Sequence, residues 1–402
     1  MMTRLARYVI LLSLPVVVGG CAMQKDNVKE GGDKMRNIKL SSAFFGEEEA
    51  RAVERVLAGQ VVNMGKEVFM FEQELEEFFG NLNAKVTCVH SCTAALQLAL
   101  QACDIKPGDE VLVPTFTFVA TFQAVAANGA IPIPCDVDIE DGFIDLKDAE
   151  SRITKKTKAI IPVLFAGCDS KIKKVYELAK KYNLKVIEDA AHSFGDENIA
   201  KRDGIFCFSF DPIKNISCGD GGCILTQQKE VTERLKDMRL LGVIGDTECR
   251  FSGKRSWGAD VQEKGWRLHM NNIAAAIGRE QLKKFDRIKK ARQRNAKLYK
   301  QHLSNIKEIQ LMPINTDTAV PHIFPIIVNN GKRDCLKQYL ADKGIETGVQ
   351  YKPNHLLTFF SKGYNLPKAE ELYSKILSIP IHPFVTESEI YYIIENIKQY
   401  FK

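Results

Sequence analysis

Short apolar runs punctuate this chain, and between several of them apolar positions repeat with helical spacing. Glu110-Val111-Leu112-Val113-Pro114 reads as a buried strand. Before it come a turn, Lys106-Pro107-Gly108-Asp109, and a helix, Ala94-Ala95-Leu96-Gln97-Leu98-Ala99-Leu100, that Thr93 is expected to cap. Further strands are expected at 131–134, 159–163, 185–189, 206–210 and 223–226. Strands this uniformly apolar need cover on both faces, so their alternation with helices predicts an α/β fold with a mostly parallel central sheet. A polar-apolar helix is expected from about 281 to 303; its Lys283, Lys284, Arg287, Lys289, Lys290, Arg292 and Arg294 read as the solvated face of a connector. Beyond it, a strand at 323–328 and helices near 333–343 and 386–401 suit a smaller α+β unit. The expected division is therefore a large domain over 35–285 and a small C-terminal domain over 286–402.

The first 34 residues follow another pattern. Arg4 and Arg7 precede an apolar run over 8–18 that ends in Val18-Gly19-Gly20-Cys21. This has the shape of a secretory signal and resembles a bacterial lipobox. The run is short for a membrane span, and residues 22–34 read as a solvated tether. Residues 1–34 are set aside as an appendage, and membrane attachment is expected only through Cys21, if the lipobox is used. Met35 then precedes Arg36-Asn37-Ile38-Lys39-Leu40, which has the pattern of a first strand.

Composition narrows the class. A chain of 402 residues, 45% hydrophobic, can fill the core of two or three units. The net charge of +6 is small for this size and its basic residues are scattered, so nucleic acid is not an expected partner. Eleven cysteines include no C-x-x-C pair, so no metal is expected and the thiols read as buried and reduced. That usage points to a cytoplasmic body.

The chemistry centres on Lys214. It follows Phe208-Ser209-Phe210-Asp211-Pro212-Ile213 and precedes the glycine-rich turn Gly219-Asp220-Gly221-Gly222, shortly after the strand that ends Glu188-Asp189-Ala190-Ala191-His192. An amine that forms a Schiff base needs a flexible stem and surroundings that lower its pKa. A cofactor acting as electron sink needs a carboxylate against its pyridine nitrogen. Lys214 and Asp189 supply that pair, with Asp189 at the strand end where open α/β sheets bind ligands. Pyridoxal 5′-phosphate is the expected cofactor. Its phosphate would find donors at the helix N-terminus opened by Ser91-Cys92-Thr93.

These stretches, with Val89-His90-Ser91-Cys92-Thr93-Ala94-Ala95-Leu96, the run from Val113 to Thr121 and the segment from Gly265 to Gly278, resemble the DegT/DnrJ/EryC1/StrS family of sugar aminotransferases in order and spacing. The resemblance runs from about Ile38 to the C-terminus. It implies a pyridoxal phosphate-dependent transferase fold of type I, with Lys214 and Asp189 catalytic. It further implies cofactor contacts from Cys92, Thr93, Ser209 and His192, with Phe118 stacked on the ring. Arg267 would cross a homodimer interface to the neighbour's cofactor phosphate, or else contact a substrate phosphate instead. The expected reaction is amination of a nucleotide-linked keto-deoxysugar, with glutamate as donor. A related dehydratase branch replaces the lysine with histidine, so Lys214 favours transamination over another type-I chemistry such as a lyase. A non-catalytic lipid-anchored binding protein is the alternative from a different class. Departures from the family pattern are Cys92 for glycine, Arg267 and His269 for asparagine and arginine, Leu164 for histidine, and a short link from Gly195 to Phe208.

Overall fold

The structure is a computed structural model that describes residues 37–80, 83–254, 258 and 260–402. The signal-like segment 1–34 lies outside the described residues. Eight strands build the principal sheet: β1 (Lys85–Val89), β2 (Glu110–Pro114), β3 (Ile131–Cys135), β4 (Thr157–Ile160), β5 (Lys185–Val186), β6 (Glu188–Asp189), β7 (Ile205–Ser209) and β8 (Gly222–Thr226). They form the ladders β3-β2-β4-β5 and β6-β7-β8-β1. β5 and β6 are one extended stretch interrupted at Ile187, and a parallel bridge from Val163 to Asp189 ties the two ladders together.

The expected parallel sheet holds for the pairs β2–β3, β2–β4, β4–β5 and β6–β7. β8 departs from it, running antiparallel to both β7 and β1. The lysine loop that joins β7 to β8 carries no crossover helix, and a parallel return requires one.

Alternation within β2 shows how both faces are used. Val111 and Val113 enter one core cluster while Leu112 enters another on the opposite face. The helix Cys92–Ala102 is buried along most of its length, as its Ala/Leu composition requires. Its cap falls two residues before the expected Thr93: Ser91 Oγ accepts the N–H of Ala94 at 3.1 Å. Serine fits there because an extended backbone lets its hydroxyl turn onto the third helical N–H.

The long basic helix divides in two, Asn272–Lys283 and Phe285–Leu303. The second is more than a solvated connector, because Ile288, Arg292, Asn295, Ala296, Tyr299 and Leu303 are all buried. Arg292 was expected in water, yet it is 2% exposed and turned inward. Beyond this helix, β9 (Ile309–Leu311), β10 (Phe324–Val328) and β11 (Ile376–Ile379) form an antiparallel sheet of order β11-β10-β9. Helices Arg333–Asp342 and Glu387–Phe401 share its core. The expected strand near Ile38 is a single parallel bridge to Ile345.

Candidate active site

The carboxyl ends of β1, β2, β6 and β7 open on one side of the sheet, and a cavity of about 270 Å³ lies there. Cys92, Thr93, Phe118, Asp189, His192, Ser209 and Lys214 all line it. Of the residues expected from the sequence, only Arg267 stands apart: it is exposed, and it pairs through a backbone bridge with Leu240.

Asp189 closes β6 with 6% of its surface exposed. Its Oδ2 accepts from Thr121 Oγ1 at 2.8 Å, and its Oδ1 from the N–H of Ala191 at 3.2 Å. Among the described residues no cation lies within salt-bridge distance. Burial accordingly raises its pKa above the usual carboxylate value, against the pull of the Thr121 hydrogen bond. Lys214 is partly exposed through the cavity mouth, yet burial of its amine lowers its pKa to about 8. About a tenth of the amine is therefore unprotonated at pH 7, far more than for an ordinary lysine.

His192 is fixed from both sides. Its Nδ1 accepts the N–H of Ala166 at 3.2 Å, so the neutral ring carries its proton on Nε2, 3.2 Å from the hydroxyl of Tyr351. Burial holds its pKa well below the ordinary histidine value. Burial also pushes the Cys92 thiol far up, so it stays protonated and packs toward the carbonyl of Cys207.

The helix N-terminus is pressed close to the sheet. A Cβ on Gly222 would lie 2.7 Å from the Cys92 nitrogen and from Phe208 O, so only glycine lets β8 start under that helix. Phe116 is fully buried in the core, whereas Phe118, two residues on, is 56% exposed at the cavity wall. A phenylalanine so placed offers its ring to a ligand.

Four further groups stand at this site. Gln350 and Tyr351 enter the cavity from a loop far along the chain, and Gln350 Oε1 is buried without a partner. Thr121 ends the run from Val113 and donates to Asp189 Oδ2. His322 lies 3.3 Å from Lys214 Nζ, from the loop before β10. Long-range packing places the first, second and fourth, so no local pattern marks them. Leu164 is buried in the core and donates its backbone N–H to Asp189 O.

Solved structures with this architecture are pyridoxal phosphate-dependent aminotransferases of fold type I. The chain belongs to the DegT/DnrJ/EryC1/StrS aminotransferase family, whose model matches residues 44–398. It is 34% identical over 369 residues to an uncharacterized protein of Methanocaldococcus jannaschii, covering 88% of this chain and 95% of that protein. It resembles the structure of NtdA from Bacillus subtilis with bound cofactor PMP, at TM-score 0.81, 29% identity and coverage of 88% of this chain and 81% of that one. It also resembles Helicobacter pylori PseC, an aminotransferase involved in the biosynthesis of pseudoaminic acid, at TM-score 0.82, 26% identity and coverage of 91% and 99%.

Proposed function

We propose that this protein is a pyridoxal phosphate-dependent aminotransferase that aminates a nucleotide-linked keto-deoxysugar, with glutamate as amino donor. The observation that carries this reading is the pairing, across one cavity, of a lysine amine with depressed pKa and a buried carboxylate with no cation at salt-bridge distance among the described residues. The site fits the cofactor in three further respects. A helix N-terminus faces the cavity through Cys92 and Thr93, a half-exposed Phe118 lines its wall, and Ser209 ends β7 beside Lys214.

Pyridoxal phosphate, when bound, supplies an electron sink through which an amino group passes from donor to acceptor. Asp189 would stand against the ring nitrogen and hold a proton there, because a buried carboxylate gains most from a cationic partner. The first N–H groups of the helix Cys92–Ala102 and the hydroxyls of Thr93 and Ser209 would bind the phosphate. Phe118 would cover one face of the ring and His192 would approach from the Asp189 side. Lys214 would hold the cofactor covalently and, once released as a free amine, take the proton from the donor's α-carbon and return it.

Arg267 is proposed to act in the neighbouring subunit's site. Its exposure outside its own cavity supports this, as do the exposed apolar Leu241 and Val261 on the segments next to it. In a homodimer, mixing inactive Lys214→Ala and Arg267→Ala subunits would restore about a quarter of wild-type activity, since random exchange gives half heterodimers with one intact site each. No recovery after confirmed exchange would remove Arg267 from the neighbour's site. The body is proposed to act in the cytoplasm, where its reduced thiols fit. Among the described residues no helix is long and apolar enough to cross a membrane. The substrate is tested by incubating the purified protein with glutamate and a panel of nucleotide keto-sugars, reading 2-oxoglutarate and amino-sugar product. Cofactor fixed at Lys214 with no amination across the panel would overturn the sugar assignment.

A further inference from the structure

His322 is 4% exposed and belongs to the loop that leads into β10, remote in sequence from every residue assigned above. Its Nε2 lies 3.3 Å from Lys214 Nζ. Its backbone is anchored from the other side: Arg292, buried with no carboxylate at salt-bridge distance among the described residues, donates from Nη1 to His322 O at 3.1 Å and from Nη2 to Lys214 O at 3.5 Å. One guanidinium thus ties together the two chain segments that carry the ring and the amine. We propose that His322 is a further catalytic residue, the resting partner that holds Lys214 Nζ at the cavity wall whenever the amine is not covalently engaged.

The ring's other nitrogen decides which form of the lysine it favours. Nδ1 is buried without a partner. If Lys214 were an ammonium, Nε2 would accept from it and the ring proton would sit on Nδ1 as an orphaned buried N–H. If Lys214 is a free amine, Nε2–H donates to the Nζ lone pair and Nδ1 is left as a bare lone pair. Orphaned buried N–H groups are the rarer and costlier case, so the contact favours the free amine. The groups facing this pair are His192, edge-on at 4.3 Å between ring centroids, and the Arg292 guanidinium, with Asp189 and Asp211 on the lysine side. Burial, with Lys214, His192 and Arg292 nearby, holds His322 neutral by lowering its pKa well below the ordinary value.

The inference rests on Lys214 being the cofactor-binding amine. The full-length protein, stripped of cofactor, is mixed with pyridoxal phosphate, and covalent capture, which joins the aldehyde carbon to Nζ and expels one water, is followed by absorbance. Binding of pyridoxamine phosphate, which cannot bond to the lysine, is measured in parallel. H322L is expected to slow capture about tenfold through misplacement of the amine, with pyridoxamine phosphate affinity unchanged. H322Q, whose amide reaches about as far as Nε2, should recover most of the rate. H322N, too short to reach, repeats the test should the leucine variant not fold. Capture at the wild-type rate in H322L or H322N overturns the inference, as does a parallel loss of both ligands. Peptide mapping after borohydride separates the two readings: wild-type capture at another lysine removes the site assignment itself.

Discussion

Glu188 and Asp189 are neighbours on one short strand, both buried, and they point to opposite faces of the sheet. Glu188 is closed: its Oε2 lies 2.7 Å from Arg202 Nη2 and its Oε1 accepts from Tyr176 at 2.8 Å. Asp189 is open: it has Thr121 and one backbone N–H, and the rest of its surroundings is the cavity. Burial raises both pKa values, but at Glu188 the attraction of Arg202 is the main opposition to the rise, whereas at Asp189 the hydrogen bonds from Thr121 and Ala191 come first and the more distant charge of Lys214 only after them. A buried charge kept for structure is supplied with its partner within the fold. One kept for chemistry is left short of a partner that arrives with the ligand.

The largest expected effect tests the amine on the open side. Lys214→Ala should lower aminotransfer by roughly 10³-fold or more, because the covalent anchor and the proton carrier are the same group. The cofactor should still bind, without attachment that borohydride can fix. Turnover near the wild-type rate would show that the cavity's lysine is not the working amine.

The comparison breaks most cleanly at the two carboxylates. Asp189→Asn keeps the shape and removes the charge, so turnover should fall about 10²-fold while the urea midpoint scarcely moves. Glu188→Gln should do the reverse, costing about 3 kcal/mol of stability by leaving Arg202 short of its buried partner, with turnover per folded molecule unchanged. Equal effects of the two substitutions on rate and on stability would erase the distinction between the open and closed positions.

A smaller effect is expected from pH. Burial brings Lys214 down to about 8, so its free-amine fraction grows as pH rises toward that value. Capture of pyridoxal phosphate by the stripped protein should then rise about tenfold per pH unit below 8 and level off above it. An ordinary lysine would keep gaining rate to about pH 10. A midpoint there would show that the amine is solvated.

Much of the open side was legible in the sequence, because its parts are local. Lys214 in its glycine-rich loop and Asp189 at a strand end each carry a nearby cue, and the strands betray themselves by apolar runs. The antiparallel return of β8 was missed because apolar content does not encode direction. The cap moved from Thr93 to Ser91 because both residues suit the position and only backbone geometry chooses between them. Arg292 looked solvated among six other basic residues of its segment; its burial follows from which face of the helix Phe285–Leu303 meets the core. Gln350 and Tyr351 reach the cavity, and His322 reaches Lys214, only through the packing of distant loops, which no local spacing records.

The smallest effect sharpens the comparison most, since it asks what favours the anion of the open carboxylate when no cation lies at salt-bridge distance among the described residues. Thr121 is 1% exposed, and its hydroxyl is the shorter of the two hydrogen bonds reaching Asp189. Thr121→Val keeps the volume and removes that donor. A hydrogen bond to a charged group contributes about 1.5–3 kcal/mol, and one pKa unit corresponds to about 1.36 kcal/mol. The carboxyl, already raised by burial, should therefore rise further, by about one to two units. The active form is the anion, so activity is lost as pH falls through this pKa, and the variant's acid limb should move to higher pH. Well above both pKa values the variant should match the wild type, and well below them it should lose about tenfold for each unit the limb moves. An acid limb that stays in place would mean that Thr121 only shapes the wall, and that Asp189 is held ionised by the ligand it receives.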